Sequence, residues 1–308
     1  MIKAIFSLGN ITKEKIKQAI NIGANSIFTG AQNLSNESVH HIKKSKLKVF
    51  IEFGIFQGED LWQKYPDSRP IDKNGKPMDK IHWYAGVCPN NPEVRKFILT
   101  SIYRLIEVYE IDGLWLDFIR YPCHWEKIRN TDITEYCFCQ ICLSKFNKDV
   151  GGKPAGKKWT NWKCQQITDF VADVKKIIPK NMLLGMFAVP WQRYEYSGAI
   201  DKIIGQDFGL LSKCVDIFSP MVYQKFCNRP ISWIDSTVKY FSYMTKKPIL
   251  PSIQTEDREG KINATEFGEE LKKAFKAPSQ GTIIFFLEDL IKDKNKLRVA
   301  KKTFLSIN

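Results

Sequence analysis

Residues 112–122 read Asp-Gly-Leu-Trp-Leu-Asp-Phe-Ile-Arg-Tyr-Pro. The apolar run that begins at Gly113 predicts a buried strand, and Asp117 lies near its carboxyl end. In a barrel of parallel strands this end forms the catalytic face, so the segment delivers a carboxylate there. We predict that Asp117 is catalytic and that Arg120 and Tyr121 orient it or bind substrate. A purely structural ion pair between Asp117 and Arg120 is the alternative.

Eight β-branched or aromatic runs in the chain predict eight strands. They are Lys3 to Leu8, Ser26 to Gly30, Lys48 to Phe56, Gly113 to Ile119, Leu183 to Ala188, Val215 to Tyr223, Pro248 to Thr255 and Gly281 to Glu288.

Segments with helical periodicity separate these strands. The clearest follows Asn91, which has the residue type of a helix cap, and Pro92, which suits the first helical position. Asn263 and Glu266 have the spacing of a capping box that opens another helix. Eight alternating units in 308 residues predict an α/β fold, a (β/α)8 TIM barrel that forms one domain over residues 1–308. The chain lacks a glycine-rich nucleotide-binding motif after its first strand, so we predict no organic cofactor.

Two connections, 57–87 and 120–159, are much longer than the others. Both follow a strand, so we expect them to form walls around a cleft at the catalytic face. The first carries Trp83 and Tyr84, whose rings can stack on the apolar faces of sugars. Anchoring the loop to the barrel is an equally good explanation for these rings.

The sequence resembles glycoside-hydrolase-like barrels whose fourth strand reads approximately Asp-Gly-hydrophobic-x-hydrophobic-Asp-Phe/Tyr-Ile-Arg-Tyr-Pro. The resemblance extends to Cys88 through Arg95, to Tyr121 through Glu126, and to residues 205–223. In the related α-amylase-like and α-galactosidase-like barrels a fourth-strand Asp is the nucleophile. The resemblance therefore implies a glycosidase acting on an oligosaccharide or polysaccharide, with Asp117 as the counterpart of that residue.

Glycoside cleavage generally needs a second carboxyl group. We favour Glu288, at the end of the eighth predicted strand, and then Glu256, after the seventh. Glu52, within the third strand, could also point into the mouth of the barrel. Further candidates for binding sugar lie at strand ends: Trp191, Tyr223 and Gln254.

Three cysteines lie close together at Cys137, Cys139 and Cys142. This spacing strains internal disulfides but suits thiolate ligands of tetrahedral zinc. The fourth ligand is either Cys88, whose surroundings are similar to those of zinc-bearing family 42 β-galactosidases, or Cys123, which is closer in sequence. We predict one structural Zn²⁺, with free buried thiols as the alternative.

The chain has a formal net charge of +14, which by itself suggests an anionic partner. The excess comes mainly from Lys spread over predicted helices, which is typical of a solvated surface, so nucleic-acid binding is disfavoured. We find no apolar stretch that would cross a membrane and no signal peptide, and we predict a cytoplasmic protein. A secreted parent that has lost its leader remains an alternative, as does a carbohydrate-binding barrel without activity. The sequence does not determine the oligomeric state.

Overall fold

The computed structural model describes residues 1–128, 132–255 and 261–307. Eight parallel strands form one sheet in the order β6-β5-β4-β3-β2-β1-β8-β7. Their bounds are β1 Ile2–Phe6, β2 Ser26–Gly30, β3 Lys48–Gly54, β4 Gly113–Asp117, β5 Leu183–Ala188, β6 Ile217–Pro220, β7 Ser252–Gln254 and β8 Gly281–Phe285.

The edge strands β6 and β7 approach each other and close the sheet. Two parallel bridges, Phe218 to Ile249 and Met221 to Ser252, join this seam. The backbone N–H of Leu250 donates to the carbonyl of Phe218 at 2.8 Å. The predicted TIM barrel is confirmed.

Helices lie between the strands, as the alternating sequence pattern predicts. Their bounds are α1 Lys13–Ile22, α2 Asn36–Lys44, α3 Glu59–Lys64, α4 Pro92–Val108, α5 Gln140–Asp149, α6 Gly156–Ile177, α7 Ala199–Lys202, α8 Phe208–Leu211, α9 Ser232–Thr245, α10 Ala264–Ala274, α11 Leu287–Leu290 and α12 Lys294–Ser306. Within the described ranges, no helix combines the length and the apolar character that crossing a bilayer requires.

The predicted helix starts are confirmed. Asn91 caps α4 by accepting from the N–H of Val94, and Pro92 occupies the first turn. Asn263 caps α10 by accepting from the N–H of Glu266. These caps satisfy backbone donors that a helix leaves unpaired at its start.

Aromatic side chains fill the barrel interior. A connected set of rings, each with its centroid within 6.5 Å of at least one other, crosses it and consists of Phe6, Phe28, Phe50, Trp115, Phe187 and Phe285. Trp115 fits because its strand neighbour is Gly185, where an added Cβ would lie 2.1 Å from the indole. The Trp115 Nε1 donates to Ser219 Oγ at 2.9 Å, so the buried indole is also satisfied. These six rings form an aromatic floor beneath the carboxyl ends of the strands.

Candidate active site

A cavity of about 1000 Å³ opens above this aromatic floor. Side chains from β3, β4 and β7 line it, together with residues of both long insertions. Four carboxylates reach its wall: Glu52, Asp117, Glu126 and Asp289. The cavity lies at the barrel face where enzymes of this architecture carry their active sites.

Strand register brings Glu52 and Asp117 to the same wall. Asp117 is paired with Gly54 of β3, two residues beyond Glu52. Because alternate residues share a face, the two side chains are diagonal neighbours, with Cα atoms about 7 to 8 Å apart. Burial, and then the charge of Asp117, raise the pKa of Glu52 to about 8. Glu52 is therefore predominantly protonated at neutral pH.

Asp117 has the contacts expected of an ionised carboxylate. Its Oδ1 accepts a 2.6 Å hydrogen bond from the N–H of Phe118 and lies 3.8 Å from Nη1 of Arg120. Burial raises the pKa of Asp117, whereas Arg120 and this N–H group oppose the rise. Phe118 has a φ of +52°, an uncommon conformation for a side chain of this size, directly beside the carboxylate.

Arg120 supports Asp117 from behind the cavity wall. Its side chain is 1% exposed, and its guanidinium lies 4.8 Å from the centre of the Phe118 ring. Arg120 is absent from the residues that line the cavity in the described parts of the chain. Tyr121 is fully buried, and its hydroxyl accepts from Asn90, so it too lies behind the wall. The geometry favours an orienting role for both residues over direct sugar binding.

The carboxylates favoured from sequence have different positions. Glu288 lies in the first turn of α11, where it accepts from Ser7 Oγ at 2.7 Å and from the N–H of Leu8, and pairs with Lys15 at 2.8 Å. Burial alone would raise the pKa of Glu288, but these partners outweigh it and hold the pKa below its ordinary value. Glu288 does not appear on the described wall of the cavity. Glu256 lies outside the described residues.

Of the aromatic and polar residues predicted to bind sugar, some line the cavity and others do not. Trp83 is 54% exposed at the rim, and Tyr223 and Gln254 line the cavity. Tyr84 is buried, stacks on Phe118, and accepts from the N–H of Cys123. Trp191 lines a separate small recess with Trp125 and Tyr196.

Sequence reasoning missed four polar residues on the cavity wall: His124, Glu126, His82 and Asp289. His124 Nε2 lies 3.7 Å from Glu126 Oε2, and its ring stacks on Tyr84. A signal was available for the first two, because the quoted motif from Tyr121 to Glu126 contains both polar side chains in an insertion at the catalytic face.

Four cysteines form a buried cluster beside this site. The sulfur atoms of Cys88, Cys137, Cys139 and Cys142 all lie within 4.8 Å of one another. The 3.5 Å separations from Cys88 to Cys139 and Cys142 exceed the S–S bond of about 2.05 Å in a disulfide. They are close to the separation of about 3.8 Å that four sulfurs would have around tetrahedral zinc with Zn–S bonds of about 2.3 Å. Cys123 is not in this cluster.

Comparison with known proteins identifies the family of the chain. Residues 30–206, more than half of the chain, match the profile of the family Glycosyl hydrolase-like 10. The chain belongs to this family. None of the curated proteins matches it by sequence.

Solved glycoside hydrolase domains share the fold. The PgaB (BpsB) glycoside hydrolase domain from Bordetella bronchiseptica is 12% identical, with a TM-score of 0.76 and 99% of each chain covered. The β-galactosidase from the psychrophilic Marinomonas ef1 is 10% identical with the same TM-score, and this chain spans 59% of its length. The glycoside hydrolase domain of PelA from Pseudomonas aeruginosa is 9% identical, with a TM-score of 0.56. At these identities the likeness shows the fold alone.

Proposed function

We propose that this glycosyl hydrolase-like protein cleaves glycosidic bonds of an oligosaccharide or polysaccharide, with Asp117 as nucleophile or base and Glu52 as proton donor. The observation that carries the proposal is the placement of both carboxyl groups on one wall of a large open cavity. A binding barrel needs the aromatic rim, whereas glycoside cleavage additionally requires two carboxyl groups close together.

The surroundings of the two groups assign their roles. Glycosidases pair a protonated carboxyl with an ionised one, and environment sets the difference. Glu52 lies over the aromatic floor and keeps its proton, which it can donate to the leaving glycosidic oxygen. Asp117, held by Arg120 and the N–H of Phe118, can attack the anomeric carbon or activate a water. Trp83 at the rim offers a ring face to a sugar.

The test is a screen of chromogenic glycosides and natural glycans with matched carboxamide variants. We expect Asp117→Asn and Glu52→Gln each to lower kcat on the order of a thousandfold or more, as loss of a catalytic group does elsewhere. Glu288→Gln makes the same chemical change at a carboxyl group outside the cavity and should retain kcat. Retained turnover in Asp117→Asn would refute the assignment, and saccharide binding by an inactive wild-type protein would identify a binding barrel.

We also propose that Cys88, Cys137, Cys139 and Cys142 hold one structural Zn²⁺. Four buried thiols, three from the 120–159 insertion and Cys88 from the turn before α4, fit the donor set of a closed zinc site, which leaves no coordination position for substrate. The ion would supply a cross-link between the 120–159 insertion and the turn that follows the 57–87 insertion. Because each thiol must lose its proton to bind the ion, occupancy should fall as the pH drops.

Elemental analysis of protein purified without added metal tests the site. We expect one zinc per chain, and its loss in Cys139→Ser together with new protease sensitivity in the 120–159 insertion. The matched variant Cys123→Ser should keep its zinc. A zinc content near zero in the wild-type protein, with freely titrating thiols, would contradict the proposal.

A further inference from the structure

A single buried amide connects the cysteine cluster to the strand end that carries Asp117. Asn90 is 4% exposed, and its Nδ2 donates to Cys142 Sγ at 3.2 Å and to the hydroxyl of Tyr121 at 2.8 Å. Tyr121 directly follows Arg120, the residue that lies beside Asp117. The same NH₂ group therefore contacts both the predicted metal site and the predicted catalytic segment.

The orientation of this amide is fixed by its other end. Arg95 Nη2 lies 3.5 Å from Asn90 Oδ1, and a guanidinium can only donate. The oxygen must therefore face Arg95, which leaves the NH₂ group to face the sulfur and the phenol. Arg95 also donates to the carbonyls of Pro89 and Gln166, both at 2.6 Å, and so holds this turn against α6.

The turn that presents Asn90 is also the turn that presents Cys88. The N–H of Asn91 donates to the carbonyl of Cys88 at 3.3 Å, and Asn91 then caps α4. With its backbone fixed by this turn, Asn90 has little freedom to follow a neighbour that moves. Displacement of Cys142 would therefore break this hydrogen bond, and the side-chain torsions of Asn90 could then change and move the NH₂ group relative to the Tyr121 hydroxyl.

The backbone of Arg120 and Tyr121, on the other side of Asn90, is also fixed by hydrogen bonds. The N–H of Arg120 donates to the carbonyl of Phe118 at 2.9 Å, and the N–H of Tyr121 donates to the carbonyl of Ile204 at 2.9 Å. The Tyr121 ring packs over Gly205, where an added Cβ would lie 3.1 Å from the ring. A change in the position of Tyr121 is thus passed through a short, hydrogen-bonded turn to Arg120.

We propose that Asn90 is a positioning residue that links occupancy of the four-cysteine site to the placement of Arg120 beside Asp117. With metal bound, the fixed Cys142 sulfur and the Tyr121 hydroxyl hold the amide from two sides. When the metal is removed, α5 loses its attachment to the turn before α4, and Asn90 loses one of its two acceptors. The consequence for hydrolysis rests on the proposed function, whereas the consequences for metal retention and local order do not.

Metal retention gives the first measurement, made on the full chain loaded with zinc and challenged with a chelator. Groups that hydrogen-bond to metal ligands typically change affinity by about 10- to 100-fold. We expect Asn90→Ala to release zinc faster by a factor in this range, and Tyr121→Phe, which keeps the bond from Asn90 to Cys142, to release it near the wild-type rate. Gln140→Ala is the matched control, because Gln140 is an exposed amide on α5 that bonds to Ser144.

Amide hydrogen exchange of residues 118–123 gives the second measurement and needs no substrate. In the wild-type protein, removal of zinc should speed exchange in this segment. In Asn90→Ala and Tyr121→Phe, exchange should already be fast with zinc bound and should change little when the zinc is removed. If the proposed hydrolysis is established, Tyr121→Phe should lower kcat and leave KM near its wild-type value.

Two results would overturn the linkage. The first is found in the wild-type protein: zinc removal speeds hydrogen exchange at residues 137–142 but leaves exchange at residues 118–123 unchanged. The other is wild-type exchange in zinc-loaded Tyr121→Phe, a variant expected to fold because only one oxygen atom is removed. Absence of glycosidase activity in every variant, with both exchange results as expected, would refute the proposed function and leave the linkage standing.

Discussion

Glu52→Gln should make the protein more stable than wild type at neutral and alkaline pH, and the gain should grow with pH. The folded pKa of Glu52 is raised from its ordinary value of 4.5 to about 8. At a pH between 4.5 and about 8, the Glu52 carboxyl loses its proton in the unfolded chain but keeps it in the folded chain. Stability that is fully present below pH 4.5 is therefore lost as the pH rises through 8.

The magnitude follows from the size of the shift. Each pH unit in the window changes the free energy of unfolding by about 1.4 kcal/mol, so a rise from 4.5 to about 8 corresponds to about 5 kcal/mol. Gln carries no such proton, so the difference in stability between Glu52→Gln and wild type should increase by this amount and then level off. Urea unfolding at pH 5, 6, 7, 8 and 9 measures the difference.

Glu288→Gln is the matched control because the folded pKa of Glu288 is lowered. Its contribution to stability is present above the unfolded pKa and is lost only as the pH falls through the lower folded value. This variant should therefore show a constant loss of stability from pH 5 upwards. The charge of Asp117 contributes to the raised pKa of Glu52. In a protein that carries Asp117→Asn, the stability difference between Gln and Glu at position 52 should therefore level off at a lower pH. A difference between Glu52→Gln and wild type that does not depend on pH would refute the reasoning and the proton-donor role.

Three further outcomes are expected. If Glu52 is the proton donor, kcat/KM for a glycan substrate should decline as the pH rises through about 8, and a profile without this limb would count against the assignment. Trp83→Ala removes the exposed rim ring and should raise KM about tenfold with little change in kcat, as loss of about 1.4 kcal/mol of stacking implies, which initial-rate kinetics would measure. Gly185→Ala places a Cβ against the Trp115 indole and should lower the free energy of unfolding, measured in urea, by about 1 to 3 kcal/mol. Wild-type stability in this variant would mean that the Trp115 ring can shift without cost.

The eight strands could be predicted because each is a short apolar run between clear helix signals. Their carboxyl ends could not be located as well. The predicted eighth strand extends to Glu288, but β8 ends at Phe285 and α11 begins at Leu287. The predicted strand is three residues too long, and this error decides where the Glu288 carboxylate was expected. On a strand the carboxylate could face the mouth of the barrel, but on α11 it reaches Ser7 and Lys15.

The fourth cysteine could not be chosen from spacing alone. Cys123 is nearer to Cys137 in sequence, but short separation along the chain does not ensure proximity in space. The turn before α4 brings Cys88 to within 3.5 Å of both Cys139 and Cys142, whereas the N–H of Cys123 is held by the hydroxyl of Tyr84. That choice depends on how the 120–159 insertion packs against the turn before α4, and this is a property of the tertiary structure.

Glu52 was hard to recognise as a catalytic candidate because its neighbours indicate a buried strand. A carboxyl group between Ile51 and Phe53 is unfavourable for stability, since burial penalises its charged form. In the structure that cost remains, because burial raises the pKa of Glu52 to about 8 and no basic side chain in the described ranges forms an ion pair with it. Asp117 and Glu288 are buried to a degree as well, but each has basic or N–H partners that favour its charge. A carboxyl group with a pKa raised to about 8, next to a second carboxyl whose charged form Arg120 and an N–H group favour, is an arrangement suited to general acid catalysis, and it explains why a destabilising side chain would be kept in the third strand.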